Sequence, residues 1–251
     1  MTLEPTEWVI AIAAALIVGV AKAGIGGLGM LAVVLFAQIM PAKQATGLVL
    51  PLLCFGDIVA VAIYRQHAKW THLWRLFPWT AAGVVAGYLA LDRISEHQAR
   101  VLIGGIVLAL VAMHLLRRRL FGHEADHGAW FAPTIGVLAG FTTLVANAAG
   151  PLMAVYLLAM RLPKLDYVGT GAVFFLLLNL FKVPFMMHLG LVNLPSFSLN
   201  LMLLPVVLAG TWLGRLIVAK LNQSLFENLA LALSALAALE LIFKLSSLWR
   251  K

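Results

Sequence analysis

The sequence predicts an all-α polytopic membrane protein of two inverted repeats, each a short broken-helix hairpin followed by three transmembrane helices. Three observations lead there. Hydrophobic residues fill 63% of the 251 positions and charged residues only 11%, where soluble domains carry about 25% charge. The run from Trp8 to Met40 is interrupted by Ala21 to Gly29, AKAGIGGLG. Prolines and glycines then recur at constant spacing through both halves of the chain.

The broken run comes first. A glycine in a helix interior costs roughly 1 kcal/mol, and a lysine facing lipid costs several. An ordinary spanning helix does not tolerate four glycines and Lys22 together, so a loop at membrane depth is expected. The flanking arms, Trp8 to Gly19 and Leu28 to Met40, hold 12 and 13 residues. At about 1.5 Å per residue they fall short of a hydrocarbon core of about 30 Å. A hairpin that enters and leaves on one side follows. Spans are expected at 44–64, 76–91 and 101–116, closing repeat 1 (1–117). A basic inter-repeat loop (118–128) comes next. Repeat 2 (129–251) opens with a hairpin over 130–160, broken by VANAAGP (Val145 to Pro151), with spans at 168–187, 199–214 and 228–243.

The duplication rests on spacing. Pro78, Gly83 and Gly87 fall on Pro205, Gly210 and Gly214 at an offset of 127. Gly19 and Gly29 fall on Gly140 and Gly150 at 121, and Pro41, Gly47 and Asp57 on Pro163, Gly169 and Asn179 at 122. A hairpin plus three spans is an odd number of crossings, so the second repeat is inverted. Charge agrees: one side then carries Arg65, Lys69, Arg75, Arg117, Arg118, Arg119, Arg161, Lys164, Arg215 and Lys220, ten residues against six on the other. The richer side belongs in the cytoplasm, with both termini outside. The net charge of +8 is thus a topology signal rather than a nucleic-acid footprint. Glu4 and Glu7 precede the first apolar run without a basic n-region, so no cleaved signal peptide is expected.

Inverted repeats with interrupted helices are a recipe for a substrate site at the bilayer midplane. At a break, unpaired N–H groups and the positive end of the next half-helix converge. Two such tips meeting make a cradle for an anion. Lys22, Gly24, Gly26, Gly27, Gly29, Thr143, Asn147 and Gly150 are the candidate substrate-binding residues. Lys22 either contacts the anion or caps the hairpin's carbonyls; Asn147 bonds the ligand or satisfies loose backbone. The tip glycines form a loop or a helix-packing surface. Asp57, Asn179 and Lys182, in corresponding spans, are candidates for coupling or gating. For Asp57 and Lys182 the alternatives are a buried ion pair that fixes helix packing, proton coupling, or direct substrate contact.

Other polar residues read more simply. His123, Glu124, Asp126 and His127 resemble a metal cluster in composition only and read as a solvated linker, so no metal site or cofactor is expected. His114 and His188 read as interfacial, Cys54 as a small buried hydrophobe, and Trp70, Trp74, Trp79, Trp130 and Trp249 as interface anchors. There is no phosphate-binding loop, zinc-protease motif or nucleophile elbow, so no enzyme is expected.

The tip GIGGLG (Gly24 to Gly29), the stretch ANAAGP (Ala146 to Pro151), the run GTGAVFFLLLNLFKVPF (Gly169 to Phe185) and the duplicated layout together resemble the sulfite exporter TauE/SafE family of bacterial inner-membrane proteins, from about Ala14 to Phe243. Leu28 interrupts a tip that often shows three consecutive glycines in that family. The resemblance implies a secondary transporter of small anions, with sulfite, sulfonates and other sulfur compounds as typical substrates. Alternating access between the two tips is the expected mechanism. A passive anion channel and a membrane subunit of a larger complex are the competing readings. The expected partners are a small anion, the lipid bilayer and a coupling proton; a homodimer stays open.

Overall fold

The computed structural model of the chain describes residues 4–24, 28–91 and 129–248, with isolated positions between 95 and 116. Among the described residues all regular structure is helical: α1 (Pro5–Lys22), α2 (Leu28–Ile39), α3 (Ala42–Tyr64) with a 3₁₀ turn at Arg65–His67, α4 (Trp70–Ala90), α5 (Phe131–Ala146), α6 (Ala149–Ala159), α7 (Lys164–His188), α8 (Leu194–Lys220) and α9 (Gln223–Leu248). The described positions among 98–116 are helical as well. Four stretches are long and apolar enough to cross a membrane: Pro5–Lys22, Gln44–His67, Lys164–His188 and Ser196–Lys220. Gly26, Gly27, His114, the 117–128 loop and Trp249 lie outside the described residues.

The helix ends depart from the apolar runs. α4 begins at Trp70 rather than 76, α7 at Lys164 rather than 168, and α8 extends from Leu194 to Lys220 rather than over 199–214. The reason is local. Asn193 caps α8 by accepting from the Ser196 amide at 3.0 Å, while its own amide donates to Ser196 Oγ at 3.1 Å, so the helix starts where the cap is. Lys164 directs its Nζ to the carbonyls of Val218 and Leu221. Long cationic and Trp side chains lie along the helix while their polar ends reach the interface. A hydropathy pattern stops at those residues; the hydrogen-bonded helix does not.

The glycines that exposed the duplication are packing glycines. A Cβ on Gly19 would strike the Val207 carbonyl and the Thr211 nitrogen in α8; one on Gly210 would strike the Leu16 carbonyl in α1. The other half repeats this arrangement. A Cβ on Gly140 would strike the Thr80 carbonyl and the Val84 nitrogen, and one on Gly83 the Val137 carbonyl. Those partners are related by the same offsets, 121 for α1 against α5 and 127 for α4 against α8. Each hairpin's first arm therefore packs backbone to backbone on the second span of the opposite half. Small residues make such close approach possible where lipid supplies no hydrophobic drive.

The contacts also fix direction. Leu16 faces Gly210 and Ala23 faces Gly214, so α1 runs parallel to α8. Gly47 faces Leu191, Asp57 meets Asn179, and the Tyr64 carbonyl faces Gly169, so α3 and α7 are antiparallel. Since α7 and α8 are joined by a short turn, α1 and α3 point the same way, and α2 between them must return. α1 and α2 therefore form a hairpin. By the same reasoning α5, parallel to α4, opposes α1, and the second half is inverted.

Neither second arm is a full span: α2 has 12 residues and α6 has 11, or about 18 and 16 Å. A short helix and a broken backbone survive at membrane depth only inside protein. α6 meets that condition, with Leu152, Met153, Ala154, Val155, Tyr156 and Leu157 all at most 1% exposed. The Tyr156 hydroxyl finds His72 Nδ1 at 3.1 Å. Trp70, Trp74, Trp79 and Trp130 are exposed, as interface anchors require.

This packing makes a direct comparison possible. Gly19→Ala should lower stability by about 1–3 kcal/mol because the added methyl overlaps backbone that cannot move aside. Gly29→Ala, where nothing lies within 4 Å of the added Cβ, should leave the unfolding midpoint unchanged. Thermal unfolding of both variants in detergent reads the difference.

Candidate functional site

The two helix breaks form the centre of the bundle, and each is built by local backbone chemistry. α1 ends at Lys22, and the chain turns through Gly24 at φ +100°, a conformation that glycine adopts without a Cβ penalty. α5 ends at Asn147 with φ 51°; asparagine is among the few side-chain-bearing residues that tolerate the left-handed region. The amides of Asn147 and Ala148 close the helix end on the Thr143 and Thr142 carbonyls at 2.9 and 3.2 Å. Gly24 packs against Val168, and the Asn147 amide donates to the Thr46 carbonyl at 3.0 Å. Thr46 and Val168 are themselves related by the offset of 122. Each tip thus rests on the first full span of the opposite half at an equivalent place.

The charged groups separate into two sets. Lys22 Nζ stands 2.8 Å from Asp57 Oδ1 and 5.2 Å from the centre of the Phe175 ring. The Asn179 amide donates to Asp57 Oδ2 at 2.7 Å. Both ends of the ion pair are buried, with side-chain exposures of 8% and 1%. The Lys22–Oδ1 contact is an ion pair at charge-assisted hydrogen-bond distance. Lys182, entirely buried, donates to the Thr143 carbonyl at 3.1 Å, to Thr143 Oγ1 at 3.3 Å and to Asn147 Oδ1. It occupies the negative end of α5, where a cation is favoured.

This geometry revises one expectation. Asp57 does not pair with Lys182; it pairs with Lys22, and Lys182 caps the second break. Lys22 contacts a carboxylate, and Asn147 links Lys182 to α3. Asn179 meets Asp57, its aligned counterpart, at the crossing of α3 and α7.

Beside the ion pair lies a cavity of about 40 Å³, room for roughly three waters or one small oxyanion. Lys22, Gly24 and Asp57 line it from the first half and Gly150 from the second, so both tips reach one space. Met153, Ala154, Leu157, Tyr167 and Phe175 complete a mainly apolar wall. Thr143 and Asn147 are engaged with Lys182 and are not among the lining residues; Gly29 lies away from it in α2. Sequence reasoning missed the apolar wall. Its residues are typical lipid-facing or core types, and only the hairpin geometry turns them inward. No group of three His, Cys, Asp or Glu side chains suited to a metal occurs among the described residues.

A multi-pass helical bundle with a buried ion pair and a cavity where two helix breaks converge is an architecture of the kind membrane carriers use. The chain belongs to the family described as Sulfite exporter TauE/SafE, whose model matches residues 11–241. That membership makes it a membrane transporter of sulfur anions rather than an enzyme. Neither the curated proteins nor the solved structures contain a match.

The pairing of Lys22 with Asp57 has a measurable signature. Lys22→Met alone strands a buried carboxylate and should cost about 3–5 kcal/mol. The double variant Lys22→Met/Asp57→Leu removes both charges and should recover most of that loss, whereas Lys182→Met in place of Lys22→Met should not rescue Asp57→Leu. Unfolding midpoints of the singles and doubles, read as a double-mutant cycle, decide between the two pairings.

Proposed function

We propose that the protein is a secondary carrier of sulfite, organosulfonates or related small sulfur anions, working by alternating access around the cavity between the hairpin tips. One observation carries this reading: Lys22 and Gly24 of one tip and Gly150 of the other line a single cavity. An anion there would sit against the Lys22 ammonium and the N-terminal end of α6, whose first amides lack helical partners. The apolar wall of Met153, Leu157 and Phe175 excludes water and strengthens those contacts. Thr143 and Asn147 act by holding Lys182 at the break.

Alternating access needs two arrangements of one site, and the duplicated architecture supplies them. Each hairpin arm is fastened to a span of the opposite half through the glycine contacts of Gly19 with α8 and Gly140 with α4. The two hairpin-plus-span units can rock about the α3–α7 crossing without breaking those contacts. The basic end of the bundle, where Lys69 and His67 meet Asp166 at 2.9 and 3.5 Å and Lys164 caps α8, faces the cytoplasm of a bacterial inner membrane by the positive-inside rule. Both termini then lie outside, and each moving unit takes its hairpin from one of the repeats 1–117 and 129–251 and its fastened span from the other.

Purified protein in liposomes should take up radiolabelled sulfite or a small sulfonate with saturation and with counterflow of preloaded unlabelled substrate; flux without saturation or counterflow would mark a channel. Losing a charge-assisted contact costs about 1.5–3 kcal/mol, so Lys22→Met/Asp57→Leu should reduce uptake roughly ten- to hundredfold while remaining folded. Undiminished uptake in that variant would remove the site assignment.

A further inference from the structure

We propose that the carrier takes a proton as co-substrate: the proton resides on Asp57, and the anion takes the place of that carboxylate beside Lys22. This rests on the anion-carrier reading above. The geometry makes Asp57 a tethered competitor. Its Oδ1 stands 2.8 Å from Lys22 Nζ within the lining of the same cavity, held there by the ammonium that the anion would need. Asn179 secures the other oxygen at 2.7 Å. An incoming anion can engage Lys22 fully only if Asp57 gives it up. A buried carboxylate deprived of its cation retains a single amide donor, and a proton taken up from the cavity removes that charge.

The charge balance makes the two events depend on each other. The empty site, Lys22 ammonium with Asp57 carboxylate, is neutral. The fully loaded site, Lys22 ammonium with a monoanion and a protonated Asp57, is neutral too. The anion alone leaves the site at minus one and the proton alone at plus one. Moving either half-loaded form across the bilayer carries a net charge through a low-dielectric interior, so only the empty and doubly loaded forms reorient readily. On the far side the anion leaves, Asp57 returns its proton to water, and the Lys22–Asp57 pair re-forms. Among the described residues, the ionisable groups that act on Asp57 are Lys22 from α1 and Lys182 from α7, with Cys54 one turn back on α3; Tyr167 lines the same cavity, and α8 presents Val207 at this level. Lys182 is held by Thr143 and Asn147 at the second break and does not line the cavity, so the charge balance of the site counts the charged groups that do. Net flow follows the combined gradients, with export whenever internal anion outweighs the inward proton gradient.

The test uses ethanesulfonate, a permanently ionised anion that brings no proton of its own. In proteoliposomes a pH gradient, alkaline inside, should concentrate the labelled probe about tenfold per unit, and a potassium-diffusion potential should change this little. In Asp57→Asn the side chain mimics the protonated acid, so the loaded site is neutral and the empty site plus one; the variant should exchange labelled for preloaded unlabelled probe but no longer concentrate it in response to pH. Accumulation that tracks the potential instead of pH, or pH-driven accumulation that survives in Asp57→Asn, would overturn the proposal. If that variant does not fold, the wild type decides: binding in weakly buffered detergent with an indicator dye should take up close to one proton per bound anion. Binding without proton uptake would overturn the coupling while leaving the carrier intact. Absence of both binding and flux would overturn the carrier reading and this proposal with it.

Discussion

Everything at the centre of this molecule depends on keeping charge and broken backbone out of lipid. The Lys22–Asp57 pair joins α1 to α3, and Asn179 ties both to α7. Lys182 does the corresponding work at the second break, joining α7 to α5, with Asn147 carrying the link on to α3. Four helices are thus held by side chains that would each be costly alone. Because each donor is spent on a specific acceptor, the hairpin tips have defined positions, and the cavity between them has a defined lining.

The backbone meets the same constraint by another means. Breaks at membrane depth are tolerated only where protein surrounds them, and the first arm of each hairpin secures that enclosure by packing on a span of the other half. The glycines at those crossings allow an approach so close that an added Cβ would enter the facing carbonyl. Interlocked halves of this kind bury α6 almost completely although it is too short to span. They also couple the position of each tip to the opposite half.

Much of this was legible in the sequence because packing leaves a periodic trace. Gly19, Gly83, Gly140 and Gly210 recur at fixed offsets since each contact occurs twice, and the alignment of Asp57 on Asn179 pointed to two residues that do meet. The charge pairing was not legible. Lys22 and Asp57 lie 35 positions apart on different helices, and nothing in spacing distinguishes Lys22 from Lys182 as the partner of Asp57. Lys182 falls opposite Ala60 in the other half, so the duplication offers no guide to its role. Helix ends were misjudged where Trp70, Lys164 and Lys220 extend a helix past its apolar stretch.

The central claim is that a small sulfur anion binds where the two tips meet. A structure of the protein with 2-bromoethanesulfonate, located by the anomalous signal of bromine, tests this most directly. The account predicts the sulfonate between Lys22 Nζ and the start of α6 at Gly150, with the bromine toward Met153 and Phe175. A bromine signal confined to the basic end of the bundle near Arg161 and Lys164, with the cavity unaltered, would contradict it.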